Sequence, residues 1–131
     1  MSNIILINDQ TWIICGGRNF SDRAMFDSAM NDLIRLKGCP ARIIHGDARG
    51  ADNMADDWAS HKAIDAIRSP AAWHRHGNAA GPIRNQEMLD KFKPQLVVAF
   101  PGGKGTADMV SRARAANVDV VEIEELEREG R

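Results

Sequence analysis

Apolar residues along this 131-residue chain fall into short continuous runs separated by longer stretches with helical spacing. The run at 11–15, Thr-Trp-Ile-Ile-Cys, is β-branched and aromatic and stops at Gly16-Gly17, which reads as a buried strand. Asp22 then serves as an N-cap, and Phe26, Met30, Leu33 and Ile34 share one face of a helix that Gly38 and Pro40 end. A second short strand at 42–45 runs into Gly46-Asp47. It is followed by a helix at about 51–61 with Met54, Ala55, Trp58 and Ala59 on one stripe. Residues 64–67 read as a weaker strand, and residues 69–78, which hold Pro70, Trp73, His74 and His76, read as a loop. Gly81-Pro82 opens a third helix, since proline suits the first helical position, with Met88, Leu89 and Phe92 facing inward. Leu-Val-Val-Ala-Phe at 96–100 is apolar throughout, as a parallel strand covered on both faces would be. A fourth helix to about Ala116 and a last strand at 118–123 complete the series.

Strands alternating with helices predict an α/β fold: a Rossmann-like doubly wound parallel sheet of about five strands with helices on both faces. Residues 3–7 add one more apolar run, read as an extra N-terminal edge strand paired to its neighbour in a hairpin. The expected organisation is one domain over residues 1–131, with 1–10 as an N-terminal extension and 124–131 as an acidic tail.

Composition narrows the class of function. The formal net charge of −1 argues against coating nucleic acid by bulk electrostatics, and makes nucleic acid an unexpected partner. The first apolar stretch, 4–7, is too short to span a bilayer and has no basic segment before it, so neither a membrane anchor nor a signal peptide is expected. Cys15 and Cys39 flank a helix of about 15 residues and so stand on the order of 20 Å apart, too far for a disulfide. They read as free thiols of a cytoplasmic protein. No spacing of cysteine and histidine marks a metal site, and His74-Arg75-His76 reads as a solvated loop.

The chemistry is carried by glycines. Three strands end in glycine-containing turns that lead into helices, and a parallel sheet puts all three turns at its carboxyl edge. There, free backbone N–H groups and helix dipoles attract phosphate or carboxylate. The densest turn is Pro101-Gly102-Gly103-Lys104-Gly105-Thr106, in which Thr106 can cap the helix and donate to a phosphate oxygen. It is not a P-loop, because Lys104 stands between glycines rather than before the threonine. Gly16-Gly17-Arg18-Asn19 supplies a cation for phosphate and an amide for a ribose or base. In the third turn, from Gly46 through Gly50 and Ala51, Asp47 is placed to meet ribose hydroxyls or to form a simple Asx turn. Asp52 either joins it or caps the helix. Arg84 and Asn85, just after Gly81, lie in the first turn of the third helix, where a cation is unfavourable by several tenths of a kcal/mol. That misfit calls for a negative partner, either a ligand phosphate or a nearby aspartate. Trp73 precedes this helix and can stack on a base or serve as a core aromatic.

Four segments, GGRNF, GDARGAD, W…AGPIRN and AFPGGKGT, stand in this order. In them the chain resembles the YspA/YpsA-type branch of the SLOG superfamily over about residues 11–121. The resemblance implies a Rossmann-like fold, a homo-oligomer (dimer or larger), and a nucleotide-derived ligand such as ADP-ribose or an NAD-like compound. The phosphate-binding turns, with Met109 where related hydrolases carry a glutamate, make the expected role that of a non-enzymatic sensor, carrier or sequestering protein, with no other cofactor expected. The same superfamily holds the Lonely-Guy phosphoribohydrolases, which cleave a base from a nucleoside monophosphate through a PGGxGTxxE motif. Residues 101–106 match that motif, but the glutamate position is Met109, and Asp108 is turned about 100° away on the helix. N-glycoside hydrolysis is therefore the alternative reading, with Asp47, Asp52 and Arg84 as the candidate catalytic residues. DprA-type members bind single-stranded DNA and supply the second alternative.

Overall fold

The computed structural model describes residues 8–124. The N-terminal strand expected at 3–7 and nearly all of the acidic tail lie outside the described residues. Five strands, β1 (Thr11–Cys15), β2 (Arg42–His45), β3 (Asp65–Arg68), β4 (Leu96–Ala99) and β5 (Asp119–Glu122), form one sheet in the order β3-β2-β1-β4-β5. Every neighbouring pair is parallel. The helices are α1 (Arg23–Lys37), α2 (Ala51–His61), α3 (Trp73–His76), α4 (Ala80–Phe92) and α5 (Lys104–Ala115). This is the doubly wound, Rossmann-like architecture, and among the described residues no helix is long and apolar enough to cross a membrane.

Alternation along the strands builds two cores. Trp12, Ile14, Ile43, Leu96 and Val98 face one side, where Phe26, Met30 and Leu33 of α1 and Ala55, Trp58 and Ala59 of α2 cover them. Ile13, Ile44 and Val97 face the other side, under Met88 and Leu89 of α4 and Met109 and Ala113 of α5. Phe100 continues the first core past β4, with its ring stacked on Phe26 at 4.6 Å between centroids. Local signals set the helix ends as the pattern implies. The Asp22 carboxylate accepts the Met25 N–H at 3.0 Å, and Gly38, at φ 85°, closes α1 by donating to the Ile34 carbonyl.

The segment read as a loop at 69–78 is ordered differently. It holds α3 and then a 3₁₀ turn at Gly77–Ala79, which leads directly into α4. Consequently α4 begins at Ala80, ahead of Gly81-Pro82. Neither short helix has a side-chain cap, and α3 buries no residue, so no apolar period could announce it. Instead Trp73 supplies the anchor. Its indole edge lies over Gly81, where a Cβ would stand 3.5 Å from it.

Candidate functional site

The strand order reverses between β1 and β4, because the chain leaves β1 toward β2 on one side and returns as β4 on the other. At such a switch point the two following loops diverge and leave a crevice beyond the strand ends. A cleft of about 720 Å³ opens there. From the residues singled out by sequence, the structure brings Gly16, Gly17, Arg18, Gly46, Asp47, Asp52, Trp73, Gly81, Arg84, Asn85, Gly103, Gly105 and Thr106 to its wall. Asn19, Pro101 and Gly102 lie instead along a second depression, which shares Gly17, Arg18 and Gly103 with the first. Gly50, Ala51 and Lys104 line neither one.

The glycines divide into two kinds. Gly17 and Gly102 are structural: the Gly17 N–H donates to the Pro101 carbonyl at 2.9 Å, and a Cβ on Gly102 would stand 2.6 Å from the Gly17 nitrogen. This contact locks the β1–α1 and β4–α5 loops together. Gly103 and Gly105 are different, because a Cβ on either would meet nothing within 4 Å. Both border open cleft at the start of α5, where the N-cap is Gly103 and not Thr106 as expected, since Thr106 lies inside the first turn. The first amides of a helix have no intrahelical acceptor, so those of the first turn of α5 are free to meet an anion.

Across the cleft the Asp52 carboxylate is largely committed to the backbone. Its Oδ2 accepts from the Gly46 N–H at 3.1 Å and the Ala48 N–H at 3.2 Å, which ties the β2–α2 loop to the first turn of α2. Burial pushes its carboxyl above the usual range, opposed by the Ala48 amide and by the Arg84 charge. Arg84 meets neither Asp52 nor Asp47 in an ion pair among the described residues. Its Nη1 donates to the carbonyls of Gly46 and Ser69 at 3.1 and 3.0 Å, and its Nε to Asn85 Oδ1 at 3.1 Å. Burial lowers the guanidinium from its ordinary value, countered by Asp52. Because α4 starts at Ala80, Arg84 stands in its second turn and not in the first as expected, and carbonyl dipoles are its main partners while it borders the cleft. Asn85, for its part, donates to the Gly105 carbonyl at 3.2 Å and to Asp108 at 3.0 Å, joining α4 to α5.

Asp108 is occupied by Asn85 and by Arg112, whose Nε donates to it at 2.8 Å, and it does not line the cleft. Met109 does line it, 1% exposed, so a thioether stands where the hydrolase motif has a carboxylate. Sequence reasoning missed Cys15 and Met88, which share that apolar floor. Burial, then the Asp52 charge, pushes the Cys15 thiol up to about 12, so it is a neutral, unreactive wall group at physiological pH. At the mouth, Trp73 is 48% exposed, and the Arg18 guanidinium lies 5.3 Å from its ring centroid, bridging the β1–α1 loop to α3.

Behind Asp47 lies a polar cluster that the sequence did not reveal. Asp47 holds φ at 60°, a left-handed conformation that costs a non-glycine residue roughly 1 kcal/mol. Its N–H donates to Nδ1 of the fully buried His45 at 3.0 Å, and His45 Nε2 lies 2.9 Å from Asp56 Oδ1. Arg68 grips Asp56 with Nη2 at 2.9 Å and Nε at 3.3 Å. The Arg68 bond, and after it that of His45, holds the Asp56 carboxyl down at about 2. The unfolded value is near 3.9, so the stabilisation is complete above about pH 4 and is lost as pH falls through about 2. Urea unfolding of the Asp56→Asn variant between pH 5 and 2 should therefore show a flatter decline of the midpoint than the unsubstituted protein. Parallel declines would remove Asp56 from the acid limb.

The model of the YspA, cpYpsA-related SLOG family (YAcAr) matches residues 12–76 of this chain. The chain is also similar to the Gene 61 protein of Mycobacterium phage D29. The two are 33% identical over 116 residues, which is 83% of this chain and 92% of that protein. No solved structure matches.

Proposed function

The chain belongs to the YspA, cpYpsA-related SLOG family, and from that premise we propose that it binds a phosphate-bearing nucleotide derivative in the cleft between β1 and β4, without cleaving it. The observation that carries this reading is the open space at Gly103 and Gly105 at the start of α5, facing a cleft whose floor has Met109 in place of a carboxylate. A phosphate seated on the first turn of α5 gains free N–H groups and the helix dipole. The Thr106 hydroxyl borders the same space. Asp47 lies on the opposite wall, in reach of ribose hydroxyls, and Trp73 at the mouth offers a π-face for a base. The Arg18–Trp73 separation of 5.3 Å leaves no room for a ring between the two, so a stacking base takes the free indole face or displaces Arg18. ADP-ribose and NAD-like compounds fit this division of labour, and a sensing, carrying or sequestering role follows from binding without turnover.

Calorimetric titration with AMP, ADP-ribose and NAD tests the reading, with inorganic phosphate as the minimal probe. At least one nucleotide should bind more tightly than phosphate, and an absence of binding across the set would refute it. Trp12 and Trp58 are buried while Trp73 is half exposed, so a bound base should change mainly the Trp73 emission. Trp73→Ala is expected to weaken nucleotide binding about tenfold and to leave phosphate binding unchanged, since base–aromatic stacking contributes about 1–3 kcal/mol. Equal weakening of both would place the base elsewhere.

One observation favours a second reading, N-glycoside hydrolysis: Asp52 is a buried carboxyl beside the cleft with its proton affinity raised. Release of adenine from AMP that Asp52→Asn abolishes would establish it. AMP recovered intact after prolonged incubation with the protein excludes it for that substrate.

A further inference from the structure

Resting on the nucleotide-binding reading, we infer that His45, Asp56 and Arg68 form a closed polar clamp that positions Asp47 and gives the cleft its selectivity for ribose over deoxyribose. None of the three lines the cleft, whereas Asp47 does. His45 ends β2 with its side chain directed to the α2 side of the sheet, where Asp56 of α2 meets it. Arg68 is paired with His45 in the β2–β3 register, so both reach the same carboxylate. The clamp closes on Asp47 from two directions. His45 Nδ1 holds its main-chain N–H at 3.0 Å, and Arg68 Nε lies 3.9 Å from its Oδ1.

The direction of the bonds is fixed by chemistry. An N–H can be accepted only by an imidazole nitrogen without a proton, so His45 carries its proton on Nε2 and donates it to Asp56. Arg68, bonded to Asp56 through two nitrogens, holds that acceptor ionised and in place. Its backbone is in the left-handed region, which aspartate tolerates better than most residues but which still costs more than an extended one, and the His45 bond to its N–H and the nearby Arg68 hold Asp47 there. Loss of the support would leave the phosphate subsite at α5 intact, because that subsite is built from another loop, and would release only the group that meets the sugar.

The test compares AMP with 2′-deoxy-AMP, by calorimetry, on the full chain. The unsubstituted protein should prefer AMP by about tenfold, the effect of one hydrogen bond to a charged group. Asp47→Ala should bring the ratio near one. His45→Gln can reach Asp56 but cannot accept the Asp47 N–H, and it should bring the ratio near one with the affinity for 2′-deoxy-AMP kept. His45→Asn places an oxygen at the Nδ1 position and should retain most of the preference. Arg68→Gln, at a side chain 60% exposed, tests the clamp where the fold is least at risk, and should lower the ratio several-fold. A preference undiminished in His45→Gln and Arg68→Gln, or equal losses for both nucleotides, would overturn the inference. Nitrogen-15 spectra of the His45 ring add a readout independent of any ligand: the proton belongs on Nε2, and a proton on Nδ1 contradicts the clamp. If the unsubstituted protein binds neither nucleotide, the nucleotide reading fails and ribose selectivity with it, while the ring spectrum still decides the geometry behind Asp47.

Discussion

Gly103→Val is expected to weaken nucleotide binding by at least about 100-fold while shifting the melting temperature by only a few degrees. A Cβ at Gly103 meets no atom within 4 Å, so the added side chain starts out in open cleft and not against the folded chain. Its cost is that of a poor N-cap, about 1 kcal/mol or less relative to glycine. The two methyl groups then stand in the space proposed for the phosphate, at the first amides of α5. Each hydrogen bond to a charged group contributes about 1.5–3 kcal/mol, so losing two of them amounts to two orders of magnitude or more. Calorimetry and thermal unfolding on one preparation check both halves. A folded Gly103→Val protein with unchanged affinity would move the phosphate away from this loop.

The second large effect is on stability. Gly50 caps α2 at φ 79°, and a Cβ there would press into the Gly17 carbonyl oxygen and stand 2.6 Å from that of Arg18. All the atoms it meets are backbone, so no side-chain rotation can relieve them. The same Gly17 carbonyl accepts the Ala51 N–H at 3.2 Å, so the collision falls on the contact that joins the β1–α1 loop to α2. Gly50→Val is expected to destabilise by about 3–5 kcal/mol in urea unfolding, the range of a strained backbone combined with overpacking. Gly77→Ala is the control. It also has positive φ, at 58°, but open space around it, and should cost only about 1–2 kcal/mol. Similar losses at both positions would show that backbone strain alone sets the effect.

These two glycines illustrate what the sequence made legible. The strand–glycine–helix rhythm gave the layer order, and β4 was plain because Leu96–Ala99 is apolar on both faces of the sheet. A glycine's role was not plain. Gly50 and Gly103 look alike in sequence, yet one is wedged against another loop and the other borders empty cleft, a difference set by which strands lie side by side. Arg84 reads as a cation without a partner. Its partners are carbonyls at Gly46 and Ser69, which approach only because β2 and β3 are adjacent. His45 gave no signal at all, since a lone histidine at a strand end acquires meaning only from Asp56 one helix away and Arg68 one strand away. The placement of Asp108 and Met109, by contrast, is legible in the sequence. Helical geometry alone separates the two side chains, and the structure has Asp108 bonded to Asn85 and Arg112 and Met109 in the cleft.

In the proposed complex a nucleotide phosphate sits on the first turn of α5, with its ribose toward Asp47. Amide-resolved nuclear magnetic resonance of the nitrogen-15-labelled protein, titrated with AMP and with ADP-ribose, tests it most directly. The largest shifts should fall on the amides of Gly103, Lys104, Gly105 and Thr106, with smaller ones at Asp47 and the Trp73 indole. Saturating nucleotide that leaves those four amides unmoved, or shifts confined to another face of the sheet, would contradict it.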